Sequence, residues 1–295
     1  MIHLTKMTLP PPPDEDACED GFDGNPGDGF GDAGRGPARD APTARFPFNV
    51  PSLRRLDLAF TREVTFFVGE NGSGKSTLLE ATACAAGMVG IGSRPVERDP
   101  SLDPVRPLAD ALRLAWSRRT RRGFFMRAED FFGFVQRIKD DKARFEREAE
   151  RVRRENPDMA APDLARMVGA HAGSAAALAR RYGDDPDAAS HGEQFLSLFQ
   201  SRIVPGGLYL LDEPEVALSP TSQLAFLSIL IGAARDEDCQ FLIATHSPML
   251  MALPEAEILS FEAEGPRSVP YDEVEHVRLT RDFLERPEGF LRHLR

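Results

Sequence analysis

Val64-Thr65-Phe66-Phe67-Val68-Gly69-Glu70-Asn71-Gly72-Ser73-Gly74-Lys75-Ser76-Thr77 is the stretch on which the reading of this chain turns. Its second half fits G-x-x-x-x-G-K-[ST] at Gly69, Gly74, Lys75 and Ser76. Val64–Val68 reads as a strand leading in, and residues 77–86 read as a helix leading out. Glycines at this spacing let consecutive backbone N–H groups turn toward one anion. The helix that follows adds the positive end of its dipole. The pattern predicts a nucleoside triphosphate cradled by Gly69, Glu70, Asn71, Gly72, Ser73, Gly74, Lys75, Ser76 and Thr77. Lys75 is expected to reach the β- and γ-phosphates, and Ser76 to ligate Mg²⁺.

The rest of the composition bounds what surrounds this loop. A chain of 295 residues allows one large α/β domain or two small ones, with a substantial core. A net charge of −11 argues against a generally basic nucleic-acid binder. The charge is uneven, because nine acids and two arginines between Asp14 and Asp40 supply −7 and leave −4 for the remainder. Cys18, Cys84 and Cys239 are far apart and odd in number, which suits a reducing cytosol better than a disulfide framework. No apolar run reaches the length of a membrane span, and the first residues lack the apolar core of a secretory leader. The expectation is a cytoplasmic protein.

Alternation within residues 1–13 predicts a short N-terminal edge strand. Residues 14–43 are rich in Gly, Asp and Pro and nearly free of aliphatic side chains, so they read as a disordered acidic loop. Residues 44–295 read as one domain, with 53–60 and 64–68 as paired strands and 128–189 as an inserted helical subdomain. Residues 208–211 and 241–244 are continuous apolar runs, as buried parallel strands tend to be, with a helix over 223–234 between them. Late strands are expected at 257–261 and 269–271, and a closing helix at 281–294. The predicted class is α/β, a mostly parallel sheet flanked by helices, with antiparallel N-terminal strands.

Leu208-Tyr209-Leu210-Leu211-Asp212-Glu213 places two acids at the end of an apolar strand, the edge where ligands sit in open α/β sheets. Asp212 suits the Mg²⁺ shell, and Glu213 can orient and deprotonate an attacking water. Ser190-His191-Gly192-Glu193-Gln194, beginning 22 residues before Asp212, opens an amphipathic helix. It reads equally as an N-cap or as a phosphate-binding helix terminus. His246 follows the 241–244 strand and so falls at the same sheet edge, within reach of a γ-phosphate. Arg118, Arg119, Arg121 and Arg122, with Trp116 and Phe124 nearby, fit either nucleic-acid phosphates or a solvated turn.

Taken in order, these pieces resemble the ATP-binding cassette class of ATPase heads within the P-loop NTPases. Walker A corresponds to 69–77, the helical insert follows, the signature motif to 190–193, Walker B to 208–212 with Glu213, and the switch histidine to His246. The resemblance implies an Mg²⁺-dependent ATPase that forms a homodimer in its ATP state. In that arrangement Ser190, His191, Gly192 and Glu193 of one copy meet the ATP of the other, with Glu213 as general base and His246 as γ-phosphate sensor. The run Asp212-Glu213-Pro214-Glu215-Val216-Ala217-Leu218-Ser219-Pro220 is similar to the D-E-P-E-x-x-L-[HS]-P pattern of RecF-like and OLD-like soluble ATPases. Glu193 in the signature resembles SMC and DNA-repair members more than transporters. No Gln stands at the Q-loop; Arg127-Ala128-Glu129 occupies its place, and Glu129 enters as a further metal-ligand candidate. As a whole the chain resembles a family of compact bacterial AAA/ABC-like ATPases. The resemblance leaves the protein partner unnamed and is compatible with nucleic acid, with repair or defence as the process. Its alternatives are the ATP-binding subunit of a membrane transporter, or a slow ATP-sensing clamp.

Overall fold

Two sheets organise the chain in the computed structural model, which describes residues 1–10, 45–54, 56–91, 95–182 and 191–292. The first half contains β1 (Leu4–Thr8), β2 (Asp57–Ala59), β3 (Val64–Val68), α1 (Lys75–Ala86), α2 (Arg106–Ala111), β4 (Arg113–Trp116) and β5 (Gly123–Arg127). Two long helices follow, α3 (Ala128–Glu155) and α4 (Ala161–Tyr182). The second half contains α5 (His191–Arg202), β6 (Leu208–Asp212), α6 (Pro220–Asp236), β7 (Gln240–Ala244) and α7 (Pro248–Met251). It closes with β8 (Glu257–Glu262), β9 (Gly265–Ser268), α8 (Glu275–Glu285) and α9 (Pro287–Leu291).

The main sheet has the order β5-β6-β7-β3-β8-β9, parallel except for β9. Every residue of β3, β6 and β7 is buried, so both faces of these strands must be apolar. One face carries Phe66, Tyr209, Leu211, Phe241 and Ile243 against Phe195, Phe199 and Phe226 of α5 and α6 and Phe131 of α3. The other carries Phe67, Leu210 and Leu242 against Leu78 and Leu79 of α1 and Leu4 and Met7 of β1. Each such side chain contributes about 1.5–3 kcal/mol by leaving water. Among the described residues no helix is long and apolar enough to cross a membrane.

The smaller sheet, β2-β1-β4, is antiparallel and packs on the α1 side. Gln240, fully buried at the start of β7, joins it to the main sheet. Its Oε1 accepts from the N–H groups of His3 at 3.0 Å and Leu4 at 2.8 Å, and its Nε2 donates to Leu4 O at 2.9 Å. At the same lower edge Gly123 opens β5 with φ +107°, and a Cβ there would lie 1.8 Å from Leu208 O.

Several sequence expectations are corrected. β1 is the central strand of its sheet, not an edge strand; alternation reports a buried face but not how many neighbours pair. β2 pairs with β1 rather than with β3, because residues 60–63 carry the chain from one sheet to the other. The last strand is Gly265–Ser268 and not 269–271, since Pro270 has no N–H for a ladder. The closing helix is broken into α8 and α9, with Pro287 starting the second. The helical insert between β5 and β6 is present as α3 and α4, while the acidic stretch 14–43 lies outside the described residues.

Candidate active site at the C-terminal edge of the sheet

The parallel strands β5, β6, β7 and β3 end at one edge, at Arg127, Asp212, Ala244 and Val68. The loop after β3 turns into α1 through Gly69, Gly72 and Gly74, all at positive φ. Gly74 has a packing reason as well: a Cβ there would lie 2.8 Å from Val50 Cγ1 and 3.0 Å from Ser52 Oγ. Ser52 in turn donates to Ser73 O, so residues before β2 brace the loop from below. Lys75 is buried and donates to the carbonyls of Gly69 and Glu70, both at 2.8 Å. Burial lowers its pKa, opposed by the carboxylates of Asp212, Glu213 and Glu215.

Ser76, next on α1, donates to Asp212 Oδ1 at 2.9 Å. Asp212 is buried, and its carboxyl is pushed up to about 7, chiefly by loss of water and against the Ser76 hydrogen bond; nearby Glu213 adds to the rise. Glu213 leaves the strand in the left-handed region at φ 51°, a conformation costing a non-glycine residue about 1 kcal/mol or more. Its N–H is pinned to Ala244 O at 2.9 Å. This turn re-aims the chain, and Glu213 comes to line the site beside His246.

His246 is fixed on three sides. Its backbone N–H donates to Glu215 Oε1 at 2.6 Å. Its Nδ1 lies 3.0 Å from His276 Nε2, the two rings meeting edge-on. Its Nε2 lies 3.8 Å from Glu213 Oε1, and no described group hydrogen-bonds to it. Burial lowers the pKa of His246, with Lys75 and His276 acting the same way and Glu213 against. Glu70, Asn71, Glu213, His246 and His276 line a cavity of about 520 Å³. A second cavity, also about 520 Å³, extends from the loop past Ser52 and Phe261 to His276.

The phosphate loop, Asp212, Glu213 and His246, chosen from sequence, thus meet at one edge. The signature segment does not join them. Ser190 lies outside the described residues, and Gly192 faces α6, where a Cβ would lie 2.6 Å from Ser222 Oγ. Among the described residues, none of those lining the two cavities comes from α5. Glu129 is exposed, its carboxylate 3.5 Å from Arg127 Nε. Arg127, the register partner of Asp212, is half-buried, with Glu80 at 3.4 Å, Asp99 at 3.3 Å and Asp130 at 3.1 Å. His276, Glu80 and the contact of Glu215 with His246 escape the sequence reading, which takes Arg127 only as a stand-in at the Q-loop. Each acts through a contact with a residue distant in the chain or across a turn, and no spacing rule marks it.

The family model described as "AAA domain, putative AbiEii toxin, Type IV TA system" matches residues 194–252, and one described as "AAA domain" matches residues 48–95. No curated protein matches. Similar solved structures include the Smc head domain of Pyrococcus furiosus, at 12% identity over 80% of this chain and 96% of that one, with a TM-score of 0.39. CbiO1 of Clostridium perfringens, part of the ABC transporter complex cbiONQ, is similar at 16% identity over 82% and 92%, TM-score 0.42. A bacterial ABC transporter cassette solved as a dimer is similar at 13% identity over 75% and 90%, TM-score 0.39. The two AAA matches cover the phosphate loop on one side and the Asp212–His246 edge on the other. With a phosphate loop after β3, an acid-tipped β6 separated from it by β7 alone, and helices inserted between β5 and β6, the chain is an α/β protein with a mostly parallel sheet that is similar, over residues 48–95 and 194–252, to AAA domains.

Proposed function

We propose that this chain is a Mg²⁺-dependent ATPase acting in the cytoplasm, and that two copies pair head-to-tail around two ATP molecules to switch a partner. The observation that carries the reading is Ser76 Oγ against Asp212 Oδ1 at 2.9 Å, between a buried Lys75 and Glu213. A hydroxyl and a carboxylate oxygen form the hard donor pair that suits Mg²⁺ alongside retained waters. Ser76 and Asp212 would hold the ion, and bound Mg²⁺ supplies neutralisation of charge on the β- and γ-phosphate oxygens. The loop N–H groups and Lys75 bind and orient the phosphates. Glu213 accepts a proton from the attacking water, and His246 contacts the γ-phosphate.

Pairing of two copies is supported by the start of α5. Gly192 of the signature segment packs against Ser222 of α6, which fits a segment that completes the site of a second copy. A nucleic-acid partner is supported by Arg118, Arg119 and Arg121, exposed on the loop between β4 and β5. The toxin–antitoxin description of the model matching 194–252 supports defence over repair as the process.

The test is Glu213→Gln, which preserves shape and removes the base. Its ATP turnover should fall by about 10²–10⁴-fold, and the variant should accumulate as an ATP-bound dimer in light scattering. Turnover at the wild-type rate would overturn the assignment of Glu213, and a monomer at saturating ATP would overturn the pairing. Nucleic acid that changes neither turnover nor dimer lifetime would remove that partner.

A further inference from the structure

We infer that His276 sets the tautomer of His246, so that His246 presents an N–H, not a lone pair, at Nε2. The inference rests on the proposed role of His246 at the γ-phosphate. His276 has no place in any motif of the chain, yet it makes the closest side-chain contact of His246, with Nε2 3.0 Å from Nδ1.

A neutral imidazole has one donor and one acceptor nitrogen. Two ring nitrogens 3.0 Å apart must therefore share a single proton, carried by one and accepted by the other. If His246 Nδ1 carried it, the lone pair of His246 Nε2 would face Glu213 Oε1 at 3.8 Å from a buried position with no donor among the described residues. Two acceptors would then face each other with no donor between them. If His276 Nε2 carries it, His246 holds its own proton on Nε2, and an N–H points toward the carboxylate and the cavity. Charging His246 to satisfy both sides is opposed by its burial and by Lys75 and His276, against the pull of Glu213, and the net direction is downward. The second arrangement is the one without a conflict.

Both rings are held firmly enough for this to matter. His246 is clamped through its backbone N–H by Glu215. His276 rides on α8, which Val274 and Val277 anchor in the core, while Tyr271 just before the helix donates to Pro248 O at 3.1 Å. A donor at Nε2 is what an anionic phosphoryl oxygen requires, and a lone pair would repel it. His276 is thus a positioning residue that acts on the reaction through His246.

The test uses the full chain. Nitrogen-15 NMR of the histidine side chains, without nucleotide, should show His246 of the wild type protonated at Nε2. His276→Phe keeps a ring but no donor and should mix the tautomers. His276→Gln offers an amide N–H and should restore Nε2 protonation. Turnover should fall about 10- to 100-fold in His276→Phe, recover mostly in His276→Gln, and leave ATP affinity within twofold. The double variant His246→Ala/His276→Phe should be no slower than His246→Ala alone, as required of a residue that acts through His246. Wild-type His246 protonated at Nδ1, or single losses that multiply in the double variant, would overturn the inference. A wild type that hydrolyses no ATP would sink the proposed function instead, and the NMR result would still decide the tautomer.

Discussion

The buried carboxyl of Asp212 gives the unliganded protein a measurable pH profile. That carboxyl titrates near 3.9 in an unfolded chain and is pushed up to about 7 in the fold. Between those values the folded state keeps a proton that the unfolded state has released. Stability therefore falls as pH rises from about 4 to about 7, by at most about 1.4 kcal/mol per pH unit, and levels off above. Asp212→Asn keeps the acceptor for Ser76 and removes the titration. In EDTA, its melting temperature should exceed that of the wild type increasingly from pH 5 to pH 8. Parallel curves for the two proteins would show that Asp212 ionises freely. Asp212, Glu213 and His246 were legible in the sequence because each follows an apolar run that can only be a buried strand. Glu215 was not, since an acid one turn beyond a strand carries no sign that it will accept a backbone N–H from β7's far end.

At the scale of elements, β5 depends on a close approach that only glycine permits. The Cβ of an alanine at Gly123 would fall 1.8 Å from Leu208 O, and φ +107° is closed to it as well. Gly123→Ala should destabilise the fold by about 3 kcal/mol or more in a denaturant titration; a loss under about 1 kcal/mol would mean that β5 pairs with β6 by another path. The same pair of strands is read by one face of α1. Ser76 and Glu80, one turn apart, meet Asp212 and Arg127, which are register partners at the ends of β6 and β5. Burial raises the pKa of Glu80 and Arg127 opposes the rise, so the helix is tied to both strand ends by polar contacts. The hydrophobic runs revealed β3, β6 and β7, whose every residue is buried. They left β2 and β9 ambiguous, because a strand of three or four half-exposed residues has no period long enough to identify its partner.

At the scale of the whole molecule, a fully buried amide ties the two sheets together where their apolar faces meet. Gln240→Met would leave the N–H groups of His3 and Leu4 and the carbonyl of Leu4 without the partner they have now. An orphaned buried group costs about 1–3 kcal/mol, so the variant should lose about 3 kcal/mol or more. Hydrogen exchange at His3 and Leu4 should accelerate before that of β6. Unchanged stability and exchange would mean that the smaller sheet is held by its apolar contacts alone. The motif order made the main sheet and its edge legible. The docking of β1 was not, since a lone Gln at the head of an apolar strand looks like a residue to be left in solvent.

Gln240 has a wider consequence. Sliding β6 against β7 by one residue would exchange their two faces, but on both strands apolar side chains would replace apolar ones. Burial therefore carries almost no information about alignment. The ladder is addressed by its polar ends, with Leu208 opposite Gln240 at one and Asp212 opposite Ala244 at the other. A slip of one step, about 3.3 Å, would keep the hydrophobic interior and carry the carboxylate out of reach of Ser76. The misfold to which this sheet is open is a well-packed and inert one, and an amide at the far edge from the nucleotide guards against it.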